Sequence, residues 1–66
     1  MKIEVVIEEG SAGVWHWFLK PDFSYAEFAS PIAGWATDPG EAGNTAMNAL
    51  VRLNYWYWQT QQGELF

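Results

Sequence analysis

Few groups in this chain can move protons or bind ions: eight carboxylates, one imidazole and three cationic side chains in 66 residues, with no cysteine. Two carboxylates can work as general acid and base when they face each other across a cleft, as in glycoside hydrolysis. No Asp or Glu spacing here singles out such a pair, and so short a body offers little cleft. His16 stands in the run Trp15-His16-Trp17-Phe18. A catalytic histidine needs a nucleophile or an orienting carboxylate in reach, and neither accompanies it in a motif, so it reads as a core or edge histidine. Gly40-x-x-Gly43 has the look of a phosphate cradle at a helix start. It lacks the lysine of the nucleotide-binding loop, and Asp38 and Glu41 carry negative charge at the same place. One histidine and no thiolate cannot assemble a zinc site. The expectation is a protein without catalytic residues, metal or cofactor.

The acids make more sense as a surface. Seven of the eight fall before residue 42. Glu4 and Glu8 would share one face of a strand, about 13 Å apart at roughly 3.3 Å per residue. Glu9 lies at the adjoining turn, and Asp22 and Glu27 come from the next connection. Each acid taken singly reads as solvated charge that keeps a small protein dispersed. Taken together they are expected to form an acidic ridge along one side of a sheet, and the ridge reads as a binding surface. A net charge of −5 argues against direct contact with DNA or RNA, whose affinity rests on Lys and Arg neutralising phosphates. Exposed aromatic rings could stack on bases, but single-strand binders also line a basic groove. The partner expected is therefore a basic protein, steered in by opposite potential.

These side chains must be held by a small scaffold. Residues 2–8 alternate, with Ile3, Val5 and Ile7 on one face and Lys2, Glu4 and Glu8 on the other, the pattern of a half-buried strand. Glu9-Gly10-Ser11-Ala12-Gly13 is a turn, and residues 14–19 are β-branched and aromatic, the second arm of a hairpin. Pro21 ends that arm because it cannot donate to the ladder. Residues 23–30 read as a third strand, and residues 32–37 as a further short extended piece. One bent strand, two short ones, or strand plus loop all fit this stretch.

The clearest local signal is Asp38-Pro39-Gly40-Glu41: a capping carboxylate, proline at the first helical position and glutamate at the third. Asp38 and Glu41 are assigned to capping the helix and meeting the positive end of its dipole. The helix is expected to run to Gln62, with Gly63 as its left-handed stop. Successive residues at about 100° sort it into two apolar stripes. Ala42, Ala46, Ala49, Leu50, Leu53, Trp56 and Tyr57 form a broad face toward the sheet. Met47, Val51, Tyr55 and Trp58 form a second stripe nearly opposite. One sheet cannot cover both. The second stripe is either solvated or touched by the middle loop, or it is a dimer or partner contact; the last is preferred, since exposed apolar patches usually have a use.

The fold expected is thus α+β: a small antiparallel sheet of about three strands, opened by an N-terminal hairpin and packed against one long C-terminal helix. Residues 1–66 form a single domain. Below roughly 70–80 residues one core seldom supplies more than about 3–5 kcal/mol, so heavy packing or a homodimer is expected to help. The acidic start Met1-Lys2-Ile3-Glu4 does not resemble a secretory signal, and no apolar run approaches the roughly 20 residues of a membrane span. The expected setting is the cytoplasm.

Two resemblances bear on function. The opening strand Met1-Lys2-Ile3-Glu4-Val5-Val6-Ile7-Glu8, the stretch Pro31-Ile32-Ala33-Gly34-Trp35-Ala36-Thr37-Asp38-Pro39-Gly40-Glu41-Ala42 and the alanine-rich helix after it resemble HicB-family antitoxins. Residues 20–30 are additional to that pattern. The resemblance implies a protein that covers the nucleic-acid surface of a small basic toxin. As a class, small acidic cysteine-free chains are also similar to phage anti-CRISPR inhibitors, which implies a DNA mimic that blocks a CRISPR effector inside the bacterial host. The anti-CRISPR reading is preferred, the antitoxin second, and a structural homodimer or assembly subunit third.

Overall fold

The computed structural model describes residues 1–63, with side chains described as far as Thr60. The chain order is three strands followed by one helix. Strand β1 (Ile3–Glu9) pairs antiparallel with β2 (Trp15–Pro21), in a register running from Ile3 opposite Pro21 to Glu9 opposite Trp15. The connection closes on two backbone bonds: Val14 N–H donates to the Ser11 carbonyl at 2.9 Å, and Gly10 N–H donates to the Val14 carbonyl at 3.0 Å. Gly13 is the third residue of that turn and holds φ at 77°. A type II turn needs positive φ there, which glycine adopts without steric penalty. At the far end, Asp22 N–H donates to the Lys2 carbonyl and Lys2 N–H donates to Asp22 Oδ1, each at 3.0 Å. The hairpin is thereby fastened one residue beyond its strands. Strand β3 (Ala33–Ala36) pairs antiparallel on the other side of β2, giving the order β1-β2-β3.

Helix α1 spans Pro39–Gly63. The Asp38 carboxylate accepts the Glu41 backbone N–H at 2.9 Å, and the Asp38 carbonyl accepts the Ala42 N–H at 3.0 Å. This is the cap read from the sequence, and it supplies the helix with an anchored start that Gly40 and Gly43 would otherwise weaken. Asp38→Ala is expected to lower stability by about 1 kcal/mol. Chemical denaturation followed by helical circular dichroism checks this, and an unchanged midpoint would contradict the cap's role. Gly63 is the last helical residue rather than the first beyond the helix, a one-residue difference of the kind fraying ends produce.

Side chains alternate across a strand, so the register sets two faces. Trp17, Leu19 and Ala36 point toward α1 and are buried with Ala42, Ala46, Ala49 and Leu53 of the helix. Ile3, Val5, Trp15 and Leu50 pack around them, half-buried. The helix side of this core consists mostly of alanine, which lets the helix axis lie close over the bulky strand residues. Gly34 stands opposite Trp17 in the register. A Cβ at Gly34 would fall 2.8–2.9 Å from three indole atoms of Trp17, so the indole lies across the space that a side chain there would fill.

Of the arrangements the sequence left open for residues 23–37, loop plus strand holds: the short extended piece expected at residues 32–37 is β3, and residues 23–30 form no strand. Those residues make a loop containing one turn, in which Phe28 N–H donates to the Tyr25 carbonyl at 2.9 Å. The reason is geometric. A 25-residue helix is about 37 Å long at 1.5 Å per residue. A seven-residue strand spans only about 23 Å. The far end of α1 therefore overhangs the sheet, and the loop covers part of it. Phe23 meets Tyr57 with ring centroids 4.4 Å apart, and Phe28 meets Trp56 at 5.4 Å. Both rings are spent on the helix rather than on a ladder.

Candidate functional site

The five acids expected to form one ridge do not share a surface. Glu4 and Glu8 lie on the sheet face turned away from α1, on edge strand β1, and are exposed. Glu9 has the opposite parity and sits exposed at the hairpin end. Asp22 is at the other end of the sheet, where its carboxylate binds the Lys2 backbone. Glu27 lies in the loop over the end of the helix and lines a groove of about 320 Å³ with Phe23, Trp56, Tyr57 and Thr60. The ridge fails because strand parity and the 22–32 loop send these carboxylates to four places.

The chain path gathers a different set of acids. Ala36 is opposite Trp15, and Trp15 is opposite Glu9, so β3 finishes at the hairpin-turn end of the sheet. The cap at Asp38 follows two residues later, and the Cβ position of Gly43 comes within 3.8 Å of Ile7 Cδ1. Glu8, Glu9, Asp38 and Glu41 therefore occupy one end of the molecule, all exposed. Lys2 and Lys20 lie at the other end. Among the described residues the excess negative charge lies chiefly at one pole. Asp38 belongs to this group while capping, because accepting the Glu41 N–H does not neutralise its carboxylate.

The outer sheet face reads as three cross-strand rows. Glu4 stands opposite Lys20; Val6, Phe18 and Ala33 form an apolar strip; Glu8, His16 and Trp35 complete the third row. Residues directly opposite have Cβ atoms about 4.5–5.5 Å apart, so each row acts as one small patch. Trp35 is 66% exposed, the most exposed large hydrophobic side chain among the described residues. Sequence reasoning did not single it out. The signal was present in Ala33-Gly34-Trp35-Ala36, where small residues alternate with one indole and force it onto the other face.

The second apolar stripe of α1 is uncovered. Met47, Val51, Tyr55 and Trp58 are 53%, 64%, 63% and 51% exposed. The middle loop does not reach them; it packs on Trp56 and Tyr57, on the sheet-facing side. On the same helix surface stand Asn44, Asn48 and Asn54, none of them ionisable. Glu41 aside, Arg52 is the sole charged residue of the helix, on the flank between the stripes.

Among the described residues no polar or charged side chain is buried, and no three His, Asp or Glu side chains gather within metal-binding reach. No described helix is long and apolar enough to cross a membrane. What the surface offers is charge at one end, an open sheet face with one prominent indole, and a neutral apolar helix face. No protein-family model, curated protein or solved structure matches the chain.

Proposed function

We propose that the protein is a non-catalytic inhibitor that occupies the cationic nucleic-acid surface of a basic protein, acting as a DNA mimic of the anti-CRISPR kind. The supporting observation is the pole formed by Glu8, Glu9, Asp38 and Glu41, separated along the molecule from Lys2 and Lys20. Carboxylates grouped on a rigid strand end and a helix start can stand where phosphates would lie, and they raise the encounter rate with a positive channel. Asp38 is held by its own cap. Glu8 and Glu9 are held by the pairing of their strand with His16 and Trp15. The backbone that carries the pole is thereby preorganised, while the exposed Glu8, Glu9 and Glu41 side chains still give up rotamer freedom on docking.

The test is a titration of guide-loaded CRISPR effector complexes with the protein, read as loss of binding to a labelled target duplex. The variant Glu8→Lys with Glu9→Lys adds two charge units per site and takes the formal charge from −5 to −1. It is expected to weaken inhibition by at least about tenfold, with inhibition by the unaltered protein falling steeply as salt rises. Both residues are exposed, so melting temperature should stay nearly constant. Full inhibition by the double variant would remove the acidic pole as the working surface.

A second reading is favoured by one observation: the strand-strand-strand-helix order, with residues 31–42 passing through β3 into the capped helix, is the arrangement implied by the antitoxin resemblance. Its partner would be a small basic RNA-binding toxin. A toxin gene beside this one, whose product co-purifies with the protein, separates the two readings.

A further inference from the structure

We propose that two copies of the chain pair back to back through the outer face of α1, with their helices antiparallel about a two-fold axis passing near residue 53. The spacing of the stripe carries the pairing. Met47 and Trp58 are equidistant from a point between residues 52 and 53, and Val51 and Tyr55 from residue 53. A two-fold operation about that point sets Met47 of one copy against Trp58 of the other, and Val51 against Tyr55. Each pair joins a smaller side chain to a ring, the alternation that lets facing ridges interdigitate at the 8–10 Å separation of packed helices. A self-complementary patch of this kind is what an isologous dimer requires.

Charge selects both the occupant and the orientation. The basic partner proposed above would be drawn to the acidic pole, whereas the stripe and its asparagine borders carry no ionised group that could attract or repel anything. A second copy meets no opposition there despite its net charge of −5. A parallel pair would bring two sets of Glu8, Glu9, Asp38 and Glu41 together and align both helix dipoles. The antiparallel pair places those poles at opposite ends, farther apart than the Debye length of about 8 Å at physiological salt. The area is sufficient. With more than half of each side chain exposed, the four residues and their borders offer roughly 500 Å² per copy, and two copies bury about 1,000 Å², the size at which specific interfaces begin.

Sedimentation equilibrium of the full chain across the micromolar range is expected to give twice the 7.5 kDa monomer mass. Val51→Asp with Tyr55→Asp should raise the dissociation constant by at least about 30-fold, with the helical circular dichroism signal retained because both positions are exposed. A monomer at every concentration overturns the proposal and leaves the face to a different protein. So does a dimer that survives the double substitution. The absence of native cysteine makes orientation readable. Met47→Cys mixed with Trp58→Cys should form a disulfide-linked pair on oxidation. Met47→Cys alone should not, because its two copies would stand roughly 17 Å apart along the helix axes, beyond the reach of a disulfide. Rapid self-linkage of Met47→Cys would overturn the antiparallel arrangement.

Discussion

Leu53→Ala is expected to leave the protein largely unfolded at 25 °C. Leu53 has no exposed surface and is the largest fully buried side chain of the described residues. Around it the helix contributes only Ala42, Ala46 and Ala49 to the buried core, so no other large helix residue is wholly enclosed. Removing a buried leucine side chain costs about 2–5 kcal/mol, the upper values where the surroundings cannot collapse into the cavity. The rest of the core is a tight cluster that includes Trp17 and Leu19, and packed side chains of that kind relax only partly into a cavity. A domain of this size holds about 3–5 kcal/mol in total, so the loss consumes most of what exists. Urea titration at fixed protein concentration checks it, since pairing would make apparent stability depend on concentration. Leu53→Met, nearly equal in volume, should cost less than about 1.5 kcal/mol. Equal stability of the alanine variant and the native protein would show that the core lies elsewhere.

Gly34→Ala should cause the second largest loss, about 1–3 kcal/mol, though it adds only one methyl group. The added Cβ would sit 2.8–2.9 Å from Nε1, Cε2 and Cζ2 of Trp17. Trp17 is 4% exposed and packed in the core, so its ring cannot swing aside as a surface side chain would. Either the indole leaves its well or β3 moves off β2. For a domain this short, each kcal/mol corresponds to a melting shift of about 4–8 °C. The decisive comparison is a double-mutant cycle with Trp17→Phe. The smaller ring vacates the space over Gly34, so the alanine should cost clearly less in that background. An identical cost in both backgrounds would mean that the strand glycine matters for backbone reasons alone.

The parts of this fold governed by short-range rules were legible in the sequence. Alternation at Ile3 and Val5 gave the first strand and its helix-facing side, on which Ile7 remains 40% exposed. The proline-flanked Asp38 marked the helix start, because a cap is made by residues three apart. The hundred-degree rotation separated Leu53 and the alanines from Met47, Val51, Tyr55 and Trp58, and the burial of the first set and exposure of the second follow that division. Residues 22–32 were not legible. Phe23 and Phe28 have the composition of a strand, yet their places are fixed by how far α1 projects past the sheet, which depends on two lengths set elsewhere in the chain. The charge distribution was hidden for a similar reason. Glu9 and Asp38 are far apart in sequence, and only the pairing of β3 with β2 shows that they share an end.

The sheet ends on both sides in a strand with an unpaired edge, a hazard in a chain that is half apolar, since any free edge can template a further strand. β3 is only four residues long and runs almost at once into the capped helix, so it offers an incoming chain little to grip. β1 is longer, but it bears Glu4 and Glu8 on its outer face. A second β1 laid beside it would set carboxylate against carboxylate, which like-charge pairs directly opposite disfavour. The same glutamates that colour the surface thus act as a brake on fibril growth, and their removal would be felt first in shelf life rather than in melting temperature.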